Sequence, residues 1–284
     1  MNDSSNERIL FESHSHTPLC KHAEGNPVDY AAVALQRGLK GLHVTCHNPM
    51  PDGFSSRVRM AESEFDTYVD LVAEATEAYR GELDVCLGLE ADYFEGYESY
   101  LEKQLSSREF HFVLGSVHPQ IGEFRQKYWE EDLVQVQRTY FNLLAKSAET
   151  GLFDSLAHPD LIKNFTSEAW QPDTMLDTIR PALDRIAKTG VAMELNTSGL
   201  LKTIPEMNPF PEMLREMQLR GIPVTLGADA HKPSRVGENY IPAMELLRSV
   251  GFTEVNFFVG RERQSVAIER AIASLDAACG ATTG

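Results

Sequence analysis

Short apolar runs alternate along this chain with longer amphipathic segments. The apolar runs predict strands at residues 9–13, 41–45, 85–90, 112–117, 153–158, 191–196, 223–228 and 254–259. Many are continuously apolar rather than alternating, as expected of parallel strands covered by helices. The segments between them predict helices over Pro27–Arg37, Glu64–Arg80, Glu98–Ser107, Glu130–Thr150, Asp173–Thr189, Pro211–Arg220, Pro233–Ser249 and Arg263–Ala278. In the fifth, Leu176, Ile179, Leu183 and Ile186 recur at three- and four-residue steps and share one face. Gly38, Gly81, Gly190 and Gly221 stand just past helix ends, where a left-handed cap suits glycine. Strand–helix alternation repeated seven or eight times points to an α/β fold closed into a barrel. An open doubly wound sheet is the alternative, but no G-x-G-x-x-G follows the first strand. No Pro-, Gly- or Ser-rich linker and no internal repeat interrupts the pattern. Residues 1–284 therefore read as one domain, with flexible ends at 1–8 and 279–284.

The polar residues at the strand ends carry the chemistry. His14 and His16 close the first run, and His22 sits in the loop after it. His47 follows the second run, Glu90 ends the third, His118 the fourth and His158 the fifth. Asp229 and His231 follow the seventh. The sixth ends instead in Glu194 and Asn196, and the eighth carries no ligand type, so it is not an equal member of the barrel. In a (β/α) barrel all these positions meet at one mouth. Seven histidines, one glutamate and one aspartate suit a multinuclear metal site. The other two histidines, His43 inside its strand and His111 before its run, are expected away from the mouth.

Composition narrows the classes. The net charge of −16 argues against a nucleic-acid partner, but a metal-lined pocket still accepts an anionic small molecule. Cys20, Cys46, Cys86 and Cys279 form no CxxC and read as reduced thiols. Cys20 and Cys46 lie beside candidate ligands and read as spectators. Met1–Arg8 lacks an apolar signal core, and no run is long enough to span a membrane. A cytoplasmic protein without a membrane partner is expected; oligomeric state is not encoded in these patterns.

Taken together, His14-Ser15-His16, His22, Thr45-Cys46-His47, Gly88-Leu89-Glu90, Ser116-Val117-His118, Ala157-His158-Pro159-Asp160 and Ala228-Asp229-Ala230-His231 resemble the polymerase and histidinol phosphatase (PHP) family of metal-dependent phosphoesterases. Within it, His16-Thr17-Pro18-Leu19-Cys20, Gly88–Tyr93, His158–Lys163 and Glu194–Leu200 look most like the histidinol-phosphate phosphatases. The resemblance implies a distorted (β/α)7 TIM-like barrel and three divalent metal ions, as zinc, iron or manganese. It implies His14, His16, Glu90 and Asp229 around the first metal, and Glu90, His118 and His158 around the second. His22, His47 and His231 would hold the third. Glu90, Asp229 and His231 are then the candidate catalytic residues.

The implied reaction is hydrolysis of a small phosphate monoester, with L-histidinol phosphate of histidine biosynthesis the first candidate. Metal ions neutralise the phosphate oxygens and lower the pKa of a bridging water, whose hydroxide attacks phosphorus in line. Lys163, Lys202, Arg235, Arg57 and Arg59 are candidate phosphate or substrate contacts, by position near the motifs alone. Asp92 and Asp160 are candidate partners for the substrate's cationic groups. Two departures from the family pattern bear on substrate: Cys46 stands where many relatives have an acidic residue, and Leu201-Lys202 where many have an arginine. A family member acting on a nucleotide or phosphoprotein, and a non-catalytic metal-binding module, are the alternatives. The complete ligand set argues against the latter. Glu194 and Asn196 read equally as groups that orient ligands or as loop caps.

Overall fold

The structure, a computed structural model, describes residues 7–281. The expected flexible ends fall largely outside the described residues. Strands β1 (Phe11–Glu12), β2 (Gly41–Val44), β3 (Asp84–Asp92), β4 (Phe112–Ser116), β5 (Ser155–Leu156), β6 (Ala192–Asn196) and β7 (Val224–Gly227) follow one another in space in chain order, all parallel. Helices α1 (Pro27–Gln36), α2 (Phe65–Ala78), α3 (Glu98–Leu105), α4 (Gly122–Tyr128), α5 (Leu133–Glu149), α6 (Pro172–Ala187) and α7 (Pro211–Leu219) lie between them. Then come α8 (Tyr240–Val250), β8 (Glu254–Val259), β9 (Glu262–Ala267) and α9 (Ile268–Ala281). Proline at the first turn of α1, α6 and α7 fits a position whose N–H has no helical partner. The Asp132 carboxylate caps α5 by accepting from the N–H groups of Val134 and Gln135.

The ring closes at its C-terminal mouth. The His16 N–H donates to Ala230 O at 3.0 Å and the Ala230 N–H to His14 O at 2.9 Å, joining the end of β1 to the end of β7. Glu12 reinforces this seam. One of its carboxylate oxygens accepts from the N–H groups of His14 and Ala228, and the other from Gly237. The fold is thus a distorted (β/α)7 barrel.

The eighth strand is indeed unequal. Its parallel ladder with β7 is a single residue pair, Thr225 with Asn256, and it runs antiparallel to β9. Its Phe257 and Phe258 fill the bottom of the barrel. Phe257 stacks on Phe11 at 4.5 Å, and Phe258 packs with Phe112, Leu114, Ala157 and Ala192. The main apolar core lies outside, between sheet and helices, and includes Leu176, Ile179, Leu183 and Ile186 of α6.

Two expected elements differ, and one was not foreseen. Residues 263–267, expected as the start of a helix, belong instead to β9, because Gly260 and Arg261 both adopt positive φ and turn a tight hairpin. The expected helix Pro233–Ser249 breaks into a 3-10 turn and α8, since Gly237 and Asn239 take positive φ and Gly237 bonds to Glu12. Helix α4 was not expected at all.

Candidate metal centre

The strand ends and the loop after β1 bring the nine candidate residues to one mouth. Glu90, inside β3 and fully buried, stands at the centre. One of its oxygens lies 3.4 Å from His14 Nε2, 3.7 Å from His16 Nε2 and 2.8 Å from His47 Nδ1. The other lies 3.4 Å from His118 Nε2 and 3.1 Å from His158 Nε2. The two oxygens of a single carboxylate therefore face different imidazoles. Asp229 Oδ1 lies 3.1 Å from His16 Nε2, 3.7 Å from His14 Nε2 and 3.3 Å from His231 Nδ1. His22 and His231 aim their Nε2 atoms at each other at 2.9 Å. The Nδ1 of each faces a backbone carbonyl, Cys20 O for His22 and Asp229 O for His231. With Nδ1 donating, both Nε2 atoms present lone pairs to one point, which a shared cation satisfies.

The donor set fits metal. His14 Nε2, His16 Nε2, His47 Nδ1 and Glu90 Oε2 are buried and make no aligned hydrogen bond. Such atoms are costly unless something else satisfies them. His14, His16 and Asp229 form one compact donor group, and His47, Glu90 and His118 another. His47 also groups with His16 and His231, so it stands between two sets.

Outer contacts orient the rings. Glu194 on β6 holds His14 Nδ1 at 2.7 Å and accepts from the His158 backbone N–H at 2.8 Å and Asn196 Nδ2 at 2.9 Å. Asp92 holds His118 Nδ1 at 2.8 Å and accepts from Ser116. Arg59 pairs with that same Asp92. Ser198 Oγ lies 2.9 Å from Asp229 Oδ2. Such carboxylate–histidine pairs fix the tautomer that leaves the inward nitrogen free. His158 and Asp229 also hold positive φ, 28° and 49°, a strained backbone at two candidate ligand positions.

The charges interlock. Burial opposes ionisation of Glu90, yet His47, His14 and His118 hold it well below the carboxylate range. Burial also opposes a charged His118, but Asp92 and Glu90 push it up to about 10. His16 and His47 go the other way: burial drives each down to about 4, and neighbouring histidines add to it.

Of the five basic candidates, the structure brings Lys202 to the mouth, with its ammonium 3.8 Å from Asp229. It lines a cavity of about 240 Å³ together with His22, His47, Glu90, His118, Gln120, His158, Leu161, Asp229 and His231. Arg57 lines a neighbouring cavity of about 380 Å³ that shares His22, His47, His118 and Gln120. Arg59 borders it too, but its guanidinium is buried against Asp92 and Asn48. Lys163 is fully buried between Asp160, Glu206 and the Met207 carbonyl, so it does not reach the mouth. Arg235 pairs with Glu238 and lines neither cavity. The two expected acidic contacts are also internal: Asp92 as above, and Asp160 on Asn208, Phe210 N and Lys163. The acid that does line the outer cavity is Glu123 of α4, which accepts from Ser55 N at 2.7 Å. Gln120, Glu123 and Ser198 were missed because their helix and loops carry no metal motif. Asp92, expected as a substrate contact, instead orients His118; its i, i+2 spacing from Glu90, which puts both on one strand face, is the signal that could have marked that role. His43 and His111 lie away from the mouth: His43 stacks between Phe11 and Phe112 inside the barrel, and His111 bonds to the β8–β9 turn.

A barrel mouth lined by mostly buried imidazoles around two carboxylates defines a metal-binding α/β-barrel protein. The chain belongs to the PHP domain family, which it matches over residues 12–198. It is similar to a probable histidinol-phosphatase of Deinococcus radiodurans, 40% identical over 87% of this chain and 96% of that one. It is also similar to the histidinol-phosphatase of Bacillus subtilis, 26% identical over 82% of this chain and 98% of that one. Among solved structures, the histidinol phosphate phosphatase of Lactococcus lactis, complexed with zinc, L-histidinol and phosphate, superposes with a TM-score of 0.77. That match covers 90% of this chain and 98% of the other at 21% identity, a likeness of fold.

Proposed function

We propose that this protein hydrolyses L-histidinol phosphate to L-histidinol and phosphate in the cytoplasm, as a single-domain phosphoesterase with three divalent metal ions. The observation that carries the reading is Glu90, whose two oxygens face different imidazoles. In this reading His14, His16, Glu90 and Asp229 hold one metal and Glu90, His118 and His158 a second. His22, His47 and His231 hold the third. When bound, the metals neutralise phosphate oxygens and acidify water, chemistry that zinc, manganese and iron all supply.

The chain's own residues do the rest. The Lys202 ammonium beside Asp229 meets a phosphate oxygen at the cavity rim. Asp229, accepting from Ser198, stands where a proton can pass to or from the reacting oxygens; His231 is next to it. The outer cavity takes the organic part of the substrate, where Glu123 attracts a cationic amine or imidazole and Gln120 spans both cavities. The Deinococcus and Bacillus relatives named histidinol-phosphatase support this substrate. The test is phosphate release from a panel of monoesters by protein supplied with zinc or manganese. We expect histidinol phosphate to head the panel and a chelator to abolish release. Chelator-resistant release, or another monoester at the head, contradicts the reading.

A further inference from the structure

Two thiols sit behind the imidazole cluster. Cys20 ends a 3-10 turn, Pro18–Cys20, and Cys46 lies between β2 and His47. Both are fully buried. Their sulfurs and a ring nitrogen of His16 lie within 4.8 Å of one another. Thr17 Oγ1 donates to Cys46 Sγ at 3.2 Å. The proposed hydrolysis uses neither thiol, yet both are tied to site residues. The Cys20 carbonyl accepts from His22 Nδ1 at 2.7 Å. Cys46 is bonded to His47, and its carbonyl accepts the Glu90 N–H at 3.2 Å.

We infer that Cys20 and Cys46 are a reversible redox pair that hydrogen peroxide closes into a disulfide, loosening the metal centre. One thiol attacks a peroxide oxygen, the O–O bond breaks, and a sulfenic acid and water form. The second thiol attacks that sulfur, the S–O bond breaks, and a second water leaves. Two S–H bonds are lost, one S–S bond forms, and the peroxide is reduced to two waters. Neither thiol lines the cavity itself, so peroxide must pass His22 and His47, which do, to reach them. A disulfide holds its sulfurs about 2.05 Å apart, so closure draws the cysteines together and pulls on His22 and His47. A reducing compartment returns the thiols, as for other redox-sensing pairs. Cys86, buried at the barrel bottom with Phe11 and Phe257, is an internal control.

The effect on turnover rests on the proposed hydrolase reading; formation of the disulfide does not. Metal-loaded protein is treated with hydrogen peroxide, remaining thiols are alkylated after denaturation, and unreduced peptides are weighed by mass spectrometry. We expect peptides of Cys20 and Cys46 linked to each other and Cys86 alkylated. Bound zinc and phosphate release should fall together by about tenfold and return with dithiothreitol and zinc. Cys20→Ala should keep its turnover and lose the reversible response, and Cys46→Ser should lose that response as well. Free, alkylated Cys20 and Cys46 after treatment overturn the pair. A linked peptide with full metal content overturns its coupling to the centre, and so does an unchanged response in Cys20→Ala.

Discussion

Glu90 and Gly227 show how little freedom the mouth allows. A carboxylate between two cations screens their repulsion, and the neutral amide of Glu90→Gln does not. Turnover should fall by more than about 100-fold with the circular dichroism unchanged; near-normal turnover with metals still bound would remove the bridging role. Gly227 is needed for a different reason. A Cβ there would stand 1.9 Å from Glu194 Oε1 and 2.7 Å from the His14 Cβ. The missing side chain lets Glu194 reach across β7 to His14. Gly227→Ala should therefore weaken metal binding by roughly tenfold or more, as loss of an orienting partner does, and elemental analysis of dialysed protein measures it. The nine candidate positions were legible because residue types that can ligate metal recur in order at or just after the strand ends. The basic contacts were not. A lysine near a motif reads alike whether it faces the cavity, as Lys202 does, or is locked to Asp160, as Lys163 is.

Strands β1 to β7 were legible as apolar runs, since burial on both faces writes itself into composition. Strand β9 was not, because most of its residues are exposed and polar. Its pairing depends on the positive-φ turn at Gly260 and Arg261, a backbone property. The hairpin nevertheless plugs the barrel. Phe257→Ala removes the ring stacked on Phe11 and should destabilise the fold by about 3 kcal/mol. Denaturant unfolding of the metal-loaded protein checks this, while metal content should be unchanged because the mouth lies at the other end. Loss of metal in this variant would show that plug and mouth are not independent.

The molecule as a whole carries a net charge of −16 yet gathers seven of its nine histidines at one mouth, and no described helix is long and apolar enough to cross a membrane. One histidine gives the fold a pH dependence of its own. His43 lies inside the barrel with Nε2 on the Phe258 carbonyl at 2.7 Å, and burial pushes it down to about 4. Unfolded chains bind this proton near the ordinary histidine value of about 6.5. Between those values the unfolded state holds more protons, so stability falls as pH drops from about 6.5 to 4. His43→Gln should flatten that slope in urea unfolding; an identical slope would show that His43 does not contribute. Function is tested most directly by steady-state kcat/KM for histidinol phosphate against p-nitrophenyl phosphate. A bare metal cluster favours the better leaving group. Binding energy from the outer cavity, applied in the transition state, reverses that order. We expect histidinol phosphate to be the better substrate by at least about tenfold, with Glu123→Gln narrowing the gap. Equal or higher kcat/KM for p-nitrophenyl phosphate would contradict the assignment.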